Sequence, residues 1–254
     1  MMDPAHFFGK RISVLGDSIS TLQGYNPPDY QYFYALGQCG IKGMDDTWWG
    51  KVISTLKGTF LMNDSWAGSR VTCVPGTSRL FPSASSKERT GNLHYRDQYP
   101  DIIFIYLGVN DWLQGAPLKM SQLRRDSGFP EMFFETAYRL MLKRIRNNYP
   151  YAEIYCIPIN PTIILWKPAF FFPNECFGCS YLEFNNVIRD EALKAGAYYL
   201  DTAGYGVPYE SVDGIHPNDT GMNMIAENVI SNILEGYRNS YHSKYVDNEE
   251  CPCT

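Results

Sequence analysis

The sequence lacks several things that would settle a class outright. No run of about 18 apolar residues occurs, so nothing reads as a membrane-spanning helix. The N-terminal Met-Met-Asp-Pro-Ala-His-Phe-Phe-Gly-Lys has no apolar core of signal-peptide length. The chain is therefore read as soluble and, by default, cytoplasmic, although a removed signal peptide leaves no trace in a mature sequence. No basic run stands out and the net charge is −5, which argues against nucleic acid as a partner. No repeat of 20–50 residues appears, which excludes a solenoid or propeller. Cysteine is present in an odd number, seven, so a fully paired disulfide framework is not expected. Cys176-x-x-Cys179 and Cys251-x-Cys253 could supply four thiolates to zinc, but no histidine or apolar run supports either pair; the expectation is free thiols and no metal.

What is present is an α/β pattern. At 254 residues one sizeable domain is expected, with its core at about 11–235 and a polar tail from 236 to 254. Ile12, Val14 and Leu15 make a short apolar strand that stops at Gly16-Asp17-Ser18. Asp45-Asp46-Thr47 offers a helix start, and Trp48, Trp49, Val52, Ile53 and Leu56 follow at helical spacing. Thr59-Phe-Leu-Met62 reads as a second strand, 101–107 as a third buried on both faces, and 153–157 as a fourth. A helix is expected over 131–147, and a Ser180-Tyr-Leu-Glu183 capping box opens another that closes at Gly196. A short strand over 197–201 and a last helix over about 220–234 complete the alternation. Five strands alternating with helices make a three-layer α/β/α fold around a mostly parallel sheet.

Three segments fall outside that pattern. Residues 21–50 hold Tyr25, Tyr30, Tyr32, Phe33, Tyr34, Trp48 and Trp49 and read equally as a lid beside Ser18 or a satellite core. Residues 75–96 are polar and without period, a surface excursion. Residues 158–179, with Trp166, Phe170, Phe171 and Phe172, read as a second cleft wall, a hydrophobic plug or an oligomer contact.

The chemistry collects where strands end. In open α/β sheets ligands sit at the strands' carboxyl edge. Ser18 follows the first strand as a nucleophile, a phosphate contact or a helix cap. Gly68 follows the second, where a glycine lets a backbone N–H approach a ligand, or simply makes a turn. Asn110 follows the third; its amide suits an oxyanion, and an Asx-turn is the plainer alternative. Asp213 and His216 lie three residues apart on one tight turn, so carboxylate and imidazole can meet locally. Of the four histidines, His6, His94 and His242 sit near a terminus, in the polar excursion or in the tail, leaving His216 as the candidate base.

Gly16-Asp17-Ser18-Ile19, the Gly68 turn, Gly108-Val109-Asn110-Asp111 and Asp213-x-x-His216-Pro217 together resemble the four blocks of SGNH (GDSL-type) hydrolases. The resemblance spans roughly residues 11–235. It implies a flavodoxin-like sheet of order 2-1-3-4-5, with Ser18 as nucleophile, His216 as general base and then acid, and Asp213 orienting His216. It further implies an oxyanion hole from the N–H groups of Ser18 and Gly68 with the Asn110 side chain. Trp66, close to the expected glycine, departs from the pattern and makes Gly68 the weakest member. Two-step ester hydrolysis through an acyl-enzyme follows, without metal or cofactor. The expected substrates are short-acyl esters on a small molecule or carbohydrate; lysophospholipid or thioester substrates are the alternative. A non-catalytic flavodoxin-like phosphate binder or carbohydrate-binding protein is the reading from another class. Asp17 would repel phosphate in the first, and the intact Ser18, Asp213 and His216 set speaks against the second.

Overall fold

A computed structural model describes residues 6–73, 82–119, 129–164, 178–205 and 208–246. Its centre is a five-stranded parallel sheet built from β1 (Arg11–Gly16), β2 (Thr59–Asn63), β3 (Ile102–Tyr106), β4 (Glu153–Ile157) and β6 (Tyr198–Tyr199). The order is β2-β1-β3-β4-β6. This is the expected 2-1-3-4-5 arrangement, with one further strand in the chain before the last. That strand, β5 (Thr162–Ile164), pairs in parallel with β7 (Tyr209–Ser211) in a separate two-stranded sheet. At three residues apiece, neither has the length to show a period of two.

Every residue of β3 is buried, as are five of the six in β1, because helices cover both faces of the sheet. Helix α1 (Trp48–Thr55) packs against α6 (Asp219–Val246). Helix α4 (Phe134–Asn148) packs against α5 (Tyr181–Lys194) and against the short α2 (Lys87–Gly91). Thr47 caps α1 by accepting from Gly50 N–H, and the Ser180/Glu183 capping box opens α5 as its sequence signalled. Helix α6 turns Met222, Ile225, Ala226, Val229 and Ile233 into the core and continues to Val246, well past residue 234 where the apolar spacing fades. None of the described helices is long and apolar enough to cross a membrane.

The segment read as a surface excursion is corrected in part. Residues 74–81 lie outside the described residues, but α2 follows, capped by Ser86, and Arg89, Thr90 and Leu93 are buried. Trp166, Phe170, Phe171, Phe172, Cys176, Cys251 and Cys253 also lie outside the described residues. The aromatic loop 21–50 is a packed layer: Leu22, Tyr34 and Ile41 are buried, and Tyr25 meets Trp49 and Phe60 edge-on.

Parallel registry sets where the chemistry falls. Ile12 pairs with Ile102 and Gly16 with Tyr106, so β1 and β3 end side by side. The chain builds outward from β1 to β2 in one direction and from β3 to β6 in the other. Between β1 and β3 the order reverses, which opens a crevice at the carboxyl edge. Ser18 follows one of these strands and Asn110 follows the other.

Candidate active site

Ser18 begins a single 3-10 turn, Ser18–Ser20, directly after β1. Asp17 caps it by accepting the Ile19 N–H at 3.0 Å. Three side chains pin the turn from outside. Trp48 Nε1 donates to Ser20 Oγ at 3.1 Å, while Trp49 Nε1 and Asn63 Nδ2 donate to the Ser20 carbonyl at 3.0 and 2.8 Å. The chain passes so closely here that a Cβ on Gly16 would lie 2.5 Å from Ser20 Oγ; only glycine fits.

Asp213 and His216 ride on the turn after β7. Ser211 Oγ donates to the Ile163 carbonyl of β5 and accepts Gly214 N–H. Tyr209 donates to the Ile215 carbonyl, Val212 N–H to the His216 carbonyl, and Tyr34 to the Pro217 carbonyl. The small second sheet is thus the mount of this turn. Asp213 Oδ1 accepts the N–H groups of Ile215 and His216 at 2.9 and 2.8 Å, and Oδ2 lies 2.6 Å from His216 Nδ1. Partial burial pushes the Asp213 carboxyl up, but the hydrogen bonds from the His216 ring and the two amides outweigh it and hold it down at about 2. An ionised carboxylate only accepts, so Nδ1 must carry the ring proton of a neutral imidazole. Nε2 is then bare, and it lies 2.9 Å from Ser18 Oγ, which donates to it.

The remaining candidates lie at the ends of β2 and β3. Gly68 sits at φ +78°, in the left-handed region that glycine enters without strain. Among the described residues nothing accepts its N–H, or that of Ser18. Trp66 does not crowd it: the indole stacks on Tyr30 at 4.1 Å between centroids. Asn110 is in α3 (Val109–Leu113), and its Nδ2 donates to the Ser69 carbonyl at 3.1 Å. One amide hydrogen is therefore spent beside Gly68 and the second is left over. Ser18, His216 and Asp213 are linked directly by hydrogen bonds, whereas Asn110 and Gly68 are linked to each other through Ser69. A cavity of about 370 Å³ opens beside this second group, lined by Gln31, Trp66, Gly68, Ser69, Arg70 and Gln114 among others.

The sequence reading misses Arg89 and takes Asp17 only as a charge that would repel phosphate. Arg89 has no exposed surface and donates to Asp64 Oδ2 at 2.8 Å, the Asp64 carbonyl at 2.6 Å, Ser69 Oγ at 2.7 Å and the Gly16 carbonyl at 3.3 Å. It ties the end of β1 to the Gly68 segment. Ser86 ahead of Lys87-Glu88-Arg89 is a helix-cap signal, but nothing in the sequence marks this arginine as buried. At Asp17, burial pushes the carboxyl up to about 7, with the backbone bond from Ile19 opposing.

The order of strands is that of a three-layer α/β/α sheet, and comparison with known proteins places the chain in a family of ester-bond hydrolases. Residues 10–163 match the family model GDSL-like Lipase/Acylhydrolase, and the chain belongs to that family. Among solved structures, a GDSL-like lipase candidate from Bacteroides ovatus ATCC 8483 is similar at 24% identity, with 91% of this chain and 99% of that chain covered and a TM-score of 0.64. Another from Bacteroides uniformis ATCC 8492 is 22% identical, covering 92% and 99%, at a TM-score of 0.65. A family two carbohydrate esterase from Clostridium thermocellum, in complex with cellohexaose, is 16% identical over 91% of this chain and 65% of that chain, at a TM-score of 0.55. At these identities the likeness is one of fold. No curated protein matches the chain.

Proposed function

We propose that this protein is a serine esterase that removes short acyl groups from carbohydrate esters through an acyl-enzyme. The supporting observation is the unbroken hydrogen-bonded line from Asp213 Oδ2 through the His216 ring to Ser18 Oγ at the carboxyl edge of the sheet. Ser18 Oγ attacks the ester carbonyl as its proton passes to His216 Nε2. Asp213 holds the ring and offsets the charge it gains. The oxyanion is met by the N–H groups of Ser18 and Gly68 and by the Asn110 amide. Collapse expels the alcohol, which takes the proton from Nε2. Water then repeats the sequence on the acyl-enzyme and releases the acid and free Ser18. None of these steps draws on a metal or cofactor.

The substrate class rests on the cavity beside Gly68. Trp66 lines it together with the polar side chains of Gln31, Arg70 and Gln114, a mixed lining in keeping with a ligand that carries both polar groups and an apolar face. The carbohydrate esterase of similar fold is in keeping with it. Turnover of p-nitrophenyl esters from acetate to palmitate, run beside acetylated sugars, tests both parts. Activity should concentrate on short acyl groups and acetylated sugars and vanish in Ser18→Ala, with the variant still folded. A maximum at palmitate would overturn the substrate; an active Ser18→Ala would overturn the nucleophile.

A further inference from the structure

The ring of Phe33 lies flat on the ring of His216, with centroids 3.5 Å apart and planes 5° from parallel. Two neutral aromatic rings prefer offset or edge-on arrangements, with centroids about 4.5–7 Å apart, because their π faces repel. The preference reverses when one ring is a cation, since the negative face of the other then attracts it. Phe33 is not placed there loosely. Its backbone N–H donates to Thr21 Oγ1 at 2.9 Å, and Thr21 Oγ1 donates to the Ser18 carbonyl at 2.8 Å. With Ser18 Oγ on His216 Nε2 and His216 on Phe33, the contacts close a ring that returns to Ser18.

From this geometry we infer that Phe33 is a positioning residue that favours the charged imidazole of His216, and so lowers the barrier to proton transfer from Ser18. The inference rests on His216 being the base. The ring becomes positive only while the Ser18 proton sits on Nε2, as the Oγ–carbon bond forms, and loses that charge when the leaving alcohol takes the proton. An attraction confined to that interval acts on the transition state and not on substrate binding. Among the described residues, the ionisable side chains shown beside the ring are Asp213 on its own turn and Tyr34, whose ring meets it edge-on at 6.5 Å between centroids; Asp17 and Cys39 act electrostatically on Tyr34. Burial first, then neighbouring negative charge, holds the Tyr34 hydroxyl and the Cys39 thiol above their ordinary values, so both stay neutral. Asp213 and Phe33 are left as the groups in direct contact that favour the cation.

Replacing Phe33 by phenylalanines carrying one, two and three ring fluorines tests this without changing the shape of the side chain. Each fluorine withdraws π density, so kcat on p-nitrophenyl acetate should fall stepwise while KM stays within twofold. The acidic limb of the pH–rate profile should move to lower pH in the same steps, because the charged ring is less favoured. Phe33→Leu, which keeps the cover but not the π face, should lose about 5- to 30-fold in kcat, and Phe33→Tyr should stay near the parent. A flat fluorine series overturns the inference. If His216→Ala retains parental turnover, the base assignment falls and this inference with it; if His216→Ala is inactive and the fluorine series is flat, only Phe33's role is lost.

Discussion

Arg89 Nη1 donates to Ser69 Oγ at 2.7 Å from a position wholly withdrawn from water, while the Ser69 carbonyl accepts Asn110 Nδ2 at 3.1 Å. A buried guanidinium thereby fixes the residue that joins the ends of β2 and β3. Its charge partner, Asp64, is equally buried. Arg89→Met should cost about 3–5 kcal/mol in urea unfolding, because Asp64 is left as an unpaired buried carboxylate. Arg89→Met with Asp64→Asn should recover part of that loss. A single variant within 1 kcal/mol of the parent, less than about a third of that cost, would show that the pair does not brace the site.

Asp17 sets a pH dependence of stability. Its carboxyl is held at about 7 in the folded chain against an ordinary 3.8, with burial as the main cause. Between those values the folded state keeps a proton that the unfolded chain releases, so stability falls as pH rises from about 4 to about 7. The full swing for such a shift is on the order of 4 kcal/mol. Asp17→Asn retains an oxygen for the Ile19 N–H and should flatten this part of the profile. Chemical unfolding at pH 4.5, 5.5, 6.5 and 7.5 for both proteins is the measurement, and parallel curves would refute the assignment.

Asp213 carries a different signature. With its carboxyl at about 2, it stays ionised far below the pH at which an imidazole charges. Loss of activity on mild acidification should therefore come from a group other than Asp213. Asp213→Asn cannot fix the Nδ1–H tautomer in the same way and should lower kcat by roughly 10⁴. Folding should be little altered, since the amide oxygen can still accept from the two backbone N–H groups. Turnover within tenfold of the parent would remove Asp213 from the proposed relay.

Asn110→Ala separates chemistry from architecture. As an oxyanion donor, Asn110 acts only once the carbonyl becomes tetrahedral, so kcat should fall about 10²–10³ with KM little changed. Asn110→Asp should be worse, because it sets negative charge against the developing oxyanion. If the amide serves only to hold the Ser69 carbonyl, melting temperature will drop first and kcat will follow in proportion.

The sequence made the sheet legible because its strands are near-continuous apolar runs closed by turn residues, as at Ile102–Tyr106 before Gly108. Ser18 and Asn110 could be singled out because each closely follows such a run; Gly68, Asp213 and His216 follow none directly and stood out by their spacing and by the family resemblance. The mount of Asp213 and His216 was hidden because β5 and β7 are three residues long and hold each other rather than the main sheet. Arg89 was hidden because a guanidinium between Glu88 and Thr90 looks solvated, and its burial is decided by partners 25 and 73 positions away. Phe33 stood out as one aromatic among many, but its partner in the stack lies at the far end of the chain.

Ser18 and His216 meet across 198 positions of sequence. Closing so wide a span is entropically costly and cannot precede assembly of the elements that bring its ends together. Those elements include the seating of α6 against α1, where Trp48 N–H reaches Met222 Sδ at 3.3 Å. During refolding, helical signal and apolar collapse can return while this junction is still open. Ester hydrolysis should then reappear last, which would make turnover a timer for completion of the fold.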